Sequence, residues 1–197
     1  MFVGNQPMNG TTFLRIKIDL EGLDVELKKY LELFAILFPK MGSKSQSYTI
    51  LSEIFAINSS HFEVMIEAFP STSSLREIKK IMIINIAFLD RCTEIVMNAL
   101  TELISAPNFS DYTNISQLMS YFIGEKVNEI VEKPLEYALS QSSAYLNPSE
   151  NWNNKLESLQ FLSQNAVNFL KTTDVKKFLV EISQNLEKLY SFCLKKV

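Results

Sequence analysis

Histidine occurs once in this chain, as His61, and that scarcity bounds the chemistry before any pattern is read. A structural or catalytic zinc site takes three or four protein ligands, so a centre built on several imidazoles is excluded. Cysteine is almost as rare. Cys92 and Cys193 are far apart, and each sits in an apolar, helix-like run. They make no zinc finger and read as reduced packing residues of an intracellular protein. Glycine is thin as well: the five, at positions 4, 10, 22, 42 and 124, never cluster into a phosphate-cradling loop. Positive charge is in deficit, with 19 Lys and Arg against 22 Asp and Glu. A net charge of −3 and a pI near 5.3 leave no electrostatic footprint for nucleic acid. Long hydrophobic runs are also missing. The longest lies near Ile81–Leu89, well short of the roughly 20 residues a membrane-spanning helix needs, and reads as a buried strand. The first residues have neither the basic flank nor the apolar core of a signal peptide.

What the chain does have is globular. Hydrophobic residues make up 47 % and charged residues 21 %, with 14 Phe, enough for a sizeable core in 197 residues. Thr11 to Asp19 alternates, with Leu14, Ile16 and Ile18 on one side and Phe13, Arg15 and Lys17 on the other, which predicts a strand with one buried face. Gly22 breaks it, and Asp24 is placed to cap a helix carrying Leu27, Leu31, Phe34 and Phe38 up to Pro39 and Gly42. After the polar SKSQSY, a second helix is expected from Ser47 to about Glu53. From Ile54 to Leu89 branched and aromatic residues alternate around the turn cluster PSTSS, and two or three antiparallel strands are expected. Asp90 reads as an N-cap with Ile95, Ala99, Leu103 and Ile104 as the stripe behind it, and Asp111 as the cap of the next helix. Helical pattern then fills Ile115–Glu132, Leu135–Leu146, Trp152 to about Lys171, and Asp174–Lys196. The order strand–helix–strands–helices predicts an α+β fold, an antiparallel sheet with helices on one face, as one domain over residues 1–197.

Candidate site residues are few. A Ser-His-Asp triad would need His61 and partners that linear order does not place, and a strand-edge or turn position is the expectation for it. Glu26, Glu94, Glu102, Glu125, Glu129 and Glu181 lie beside apolar stripes at spacings that suit solvated helix faces rather than coupled carboxylates. The Phe-rich stripes read as core, and Lys195-Lys196 as a solvated helix end. Asn9, Asn58, Asn108 and Asn114 open Asn-x-Ser/Thr triplets that an Asn- and Ser-rich chain produces by chance.

The succession of segments resembles a known family. NGTTFLRIKIDLEGLDVELKKYLELFAILFPKMGSKSQSY is similar to the opening of the third domain in presequence-protease-like members of the insulinase (pitrilysin) family of zinc metallopeptidases. Leu20, Leu23, Glu26, Leu27, Tyr30, Leu33, Phe34, Gly42, Ser47 and Tyr48 carry that pattern. FLDRCTEIVMNALTELISAPNFSDYTNISQLM matches a strand-to-helix passage through Leu89, Asp90, Arg91, Pro107, Phe109 and Asp111. A weaker third block is EYALSQSSAYLNPSENWNNKLESLQFL. Two family features are missing: a Gly-Gly pair before the strand aligned with Phe55–Ser60, and a Ser-Gly-His near Leu135.

The resemblance implies a non-catalytic, chamber-forming domain of a zinc metalloendopeptidase that degrades unfolded peptides. The zinc motif, His-x-x-Glu-His with a distal Glu, belongs to another domain of that family, as do its substrate-orienting Arg and Tyr. No catalytic, metal-binding or substrate-binding residue therefore transfers to any position here; zinc belongs to the parent enzyme. The implied partners are the remaining domains of the same peptidase and its peptide substrate, with no nucleic acid and no membrane. The implied compartment is intracellular: cytoplasmic in a bacterium, mitochondrial or another organelle in a eukaryote. The opening QPMNG resembles the incoming turn of an internal domain, so the chain is expected to be a piece of a larger protein. The edge near Thr11–Asp19 and the C-terminal helix around Leu186, Tyr190 and Phe192 are then expected to be left for a neighbour. Two other readings stay open: a free-standing interaction protein with a peptidase-like fold and no activity, and an unrelated helical adaptor, which would lack the sheet.

Overall fold

The computed structural model describes residues 9–71, 77–144, 151–152 and 175–196. Strand β1 (Thr11–Asp19) leads through Gly22 and a short helix α1 (Val25–Lys28) into α2 (Leu31–Leu37), which ends in a 3-10 turn at Phe38–Lys40. Helix α3 (Tyr48–Asn58) then precedes the hairpin of β2 (Ser59–Pro70) and β3 (Ile78–Leu89). After a 3-10 turn at Asp90–Cys92 come α4 (Thr93–Ser105), α5 (Tyr112–Glu132), α6 (Pro134–Ser143) and α7 (Val175–Leu194). Among the described residues the sheet has three strands in the order β1-β3-β2, antiparallel throughout. The α+β fold with helices over one face is thus realised.

Alternation sets which face is buried. Leu14, Ile16 and Ile18 of β1 oppose Ile86, Ile84 and Met82 of β3, which in turn oppose Phe62, Val64 and Ile66 of β2. All of these belong to, or pack on, one hydrophobic core. Helix α2 fills its centre: Leu31, Leu33, Phe34, Ala35 and Leu37 are all buried. Val96, Ala99, Leu100 and Leu103 of α4 and Leu179, Ile182, Leu186 and Leu189 of α7 close it.

Several expectations are corrected. The segment through Leu27 to Phe38 is not one helix. Tyr30 N–H bonds the Leu27 carbonyl at 3.0 Å, a tight turn that separates α1 from α2 and lets Tyr30 and the α2 residues all reach the core. Ile54–Asn58 is helical, not strand: Leu51 and Phe55 are one turn apart on the buried side of α3. Asn58 Nδ2 donates to Ile54 O at 2.9 Å and Ser59 Oγ to Phe55 O at 2.6 Å, closing that helix before β2 begins. Asp90 does not cap α4; its carboxylate accepts from Thr12 Oγ1 at 2.6 Å and ties the end of β3 to the start of β1. The α4 stripe is rotated, so Val96 and Leu100 are buried and Ile95 is exposed. Asp24 and Asp111 do cap their helices, accepting from Glu26 N and Asn114 N. On α7, Leu186 is fully buried by the chain itself, and Tyr190 donates to Ile104 O at 2.7 Å. That region is therefore not left for a neighbour. The predicted helix from Trp152 to about Lys171 lies almost wholly outside the described residues.

Candidate functional site

The same alternation that buries one sheet face opens the other. Phe13, Arg15, Lys17, His61 and Glu67 are exposed on it. Strand register places Arg15 opposite Asn85 and Asn85 opposite Glu63, so three polar side chains from three strands stand in one row. They are bonded in sequence. Arg15 Nε donates to Asn85 Oδ1 at 2.7 Å, and Asn85 Nδ2 donates to Glu63 Oε1 at 3.1 Å. His61 Nε2 lies 2.8 Å from the same Glu63 oxygen. The hydrogen bond from His61 is the main reason the Glu63 carboxyl sits below its ordinary range; Asn85 adds to it and partial burial opposes it. Asn85 is buried between its neighbours, and its two amide partners fix which way its amide points. The row combines guanidinium, amide, carboxylate and imidazole, a recognition surface rather than a nucleophile with its base.

Beside this face, the free edge of β2 opens onto a cleft of about 660 Å³. Phe62 to Glu67 form one wall; α2 and α5 form the other, through Glu32, Ile36, Phe122, Glu125, Lys126 and Glu129. Lys126 bridges the helices, 3.0 Å from Glu129 and 3.8 Å from Glu32. Tyr121 donates to Glu125 at 2.5 Å, and the Lys40 ammonium lies 5.5 Å from the Tyr121 ring. The lining holds five carboxylates, Glu32, Glu63, Glu67, Glu125 and Glu129, against the two ammonium groups of Lys40 and Lys126.

Among the described residues no group of three or more His, Cys, Asp or Glu stands close enough together to hold a metal ion, and the donor set does not suit a catalytic zinc. His61 is an exposed strand residue engaged with Glu63. Of the helix-face glutamates, Glu102 does more than meet solvent. It accepts from the Ser45 hydroxyl and from Ser43 Oγ at 2.8 Å, fastening the 43–46 turn to α4, and these two bonds hold its carboxyl below the ordinary range. Glu26 pairs with Lys29 at 2.9 Å. Cys193 is buried, and burial pushes its thiol up to about 12. No helix among the described residues is long and apolar enough to cross a membrane.

Sequence reasoning treated Glu63 and Asn85 only as parts of apolar stretches. One signal was available: Asn85 interrupts the run Ile81–Leu89 at an outward position of the central strand. A polar residue there needs partners, and those partners are the cross-strand neighbours.

An antiparallel sheet backed by helices on one face, with a polar recognition row on the other and no metal cluster among the described residues, describes a binding or scaffolding module. Comparison with known proteins identifies which. The family model for the peptidase M16 subfamily C associated domain matches residues 1–165, and the chain belongs to that family. It is a presequence-protease-like peptidase-associated domain. Mitochondrial presequence proteases are similar over 144 residues, with 24 % identity for the one from Danio rerio and 26 % for the one from Xenopus laevis. Each match takes in 73 % of this chain and only 14 % of the relative's length. A crystal structure of a conserved protein from Enterococcus faecalis V583 shares the fold at a TM-score of 0.56 and 14 % identity, over 89 % of this chain and 41 % of that one.

Proposed function

We infer that this chain works as a non-catalytic domain of a larger zinc metalloendopeptidase that degrades unfolded peptides. It lines part of the chamber that holds the peptide, with its other partners the remaining domains of the same protein. The observation that carries this reading is the open sheet face in a peptidase-associated domain: a hydrogen-bonded polar row flanked by exposed apolar groups, a surface suited to unfolded peptide rather than to one rigid partner. The relatives are named mitochondrial, which supports an organellar site for the parent in a eukaryote and the cytoplasm in a bacterium. Metal binding, water activation and bond cleavage are assigned to the other domains, since the donors for them are not found among the described residues here.

Reconstitution tests it. The parent peptidase with this domain deleted is expected to retain its bound metal but to lose hydrolysis of an unstructured fluorogenic peptide. Adding the 197-residue chain in trans is expected to restore part of the activity. A deleted enzyme that hydrolyses the peptide as fast as the intact one would refute the proposal.

A further inference from the structure

The geometry points to the free edge of β2 as a strand-pairing site for an extended, basic peptide segment. This rests on the chamber-wall reading and names the chemistry of what that wall would hold. Three observations meet there. β2 is an outer strand of the sheet, and no described residue outside the ladder bonds the backbone of residues 62–67. An outer strand presents alternate N–H and C=O groups that an added strand can satisfy. The edge opens onto a cleft rather than onto bulk solvent, with α2 and α5 as its far wall. The cleft is acidic, with five carboxylates against two lysines, and Lys126 is already engaged by Glu129 and Glu32.

Register gives the segment its pattern. Side chains of an added strand alternate between the two sheet faces. Those on the open side become cross-strand neighbours of Glu63 and Glu67, and Glu67 has no partner among the described residues. Those on the other side enter the cleft between Ile66, Ile36 and Phe122, whose rim carries Glu125 and Glu129. The occupant is therefore extended, with basic side chains at alternate positions and apolar ones between. Among the described residues the outer edge of β1 faces no such acidic cleft, so the two edges are not equivalent.

A fluorescein-labelled peptide of about eight residues, alternating arginine and valine, is titrated into the 197-residue chain by anisotropy. Two twins are N-methylated, one at every odd amide and the other at every even amide. Strand pairing uses only one set, so one twin should bind about tenfold more weakly or worse and the other nearly as the parent. Equal behaviour of the twins, whether both bind or both fail, overturns the proposal. Amide exchange should slow at residues 62–67 when peptide is added; slowing confined to β1 overturns it, and so does a dimer of the chain whose β2 amides are protected without peptide. The double substitution Glu67→Lys with Glu125→Lys changes two exposed residues, and circular dichroism checks its fold. It is expected to weaken binding about tenfold and to lessen the salt dependence, and unchanged binding overturns the acidic-cleft argument. Restored hydrolysis in the reconstitution without twin asymmetry would sink strand pairing and leave the chamber-wall reading intact. Twin asymmetry without restored hydrolysis would do the reverse.

Discussion

Gly42 owes its place to close packing of backbone. A Cβ there would lie 2.7 Å from the Tyr48 nitrogen and 2.9 Å from the Gln46 oxygen, both main-chain atoms that cannot rotate away. Its own carbonyl accepts from Asn108 N at 2.8 Å, so the turn is pinned from two sides. Gly42→Ala should therefore destabilise the chain by about 1–3 kcal/mol, as overpacking does, read as a lower urea midpoint at unchanged slope. Glu63 makes a pH prediction of definite sign. Its folded carboxyl is depressed below the ordinary 4.5, so its contribution is complete above that value and disappears as pH falls through the depressed one. Glu63→Gln removes the titrating group, and the variant's stability should fall less steeply than the parent's as pH drops below about 4.5. Parallel acid limbs in the two urea–pH profiles would contradict this. Cys193 is buried with a raised thiol while Cys92 is part-exposed, so a thiol reagent should modify Cys92 first in the native chain and Cys193 only on unfolding.

Elements were legible wherever one period ran undisturbed. β1 is found at its expected bounds because Thr11–Asp19 alternates without a break, and α5 because Asp111 caps a long apolar stripe. The error at Ile54–Asn58 has a physical cause: Ile, Phe and Ala suit either period, and what decides is that Leu51 and Phe55 reach the same core only along a helix. The polar row was illegible because it depends on register, which pairs residues 70 and 22 positions apart in Arg15–Asn85 and Asn85–Glu63. Helix α7 shows the opposite case, an element whose periodicity was plain but whose neighbour was not. Leu186 is fully buried against the chain's own core, and Ser183 Oγ donates to Phe109 O at 2.6 Å. Leu186→Ala should cost about 2–5 kcal/mol, within the range for truncating a fully buried leucine. A loss under about 1 kcal/mol in equilibrium unfolding would mean that α7 does not close this core.

At the scale of the whole molecule, the three-stranded sheet leaves β1 as an open edge, and apolar groups gather beside it on the uncovered face. Phe13 is 65 % exposed and Leu89 is 43 % exposed; they sit diagonally across the β1–β3 pair, since Thr11 opposes Leu89 and Phe13 opposes Ala87. An edge strand with an exposed aromatic is a template for pairing with another chain. Charge guards this edge only in part, because the Arg15 guanidinium is drawn inward toward Asn85. In a protein where this domain spans a small share of the length, that edge has neighbours to meet; in the isolated chain it has only other copies. The isolated chain is accordingly expected to associate reversibly as concentration rises, seen as a rising sedimentation coefficient. Phe13→Lys places a charge on the exposed side of β1 without touching the core. It should shift that association to markedly higher concentration while leaving the stability of the monomer within about 0.5 kcal/mol of the parent. A parent chain that stays monomeric over the whole series, or a variant that associates as readily, would show that this face is quiet on its own and that its contacts require the other domains.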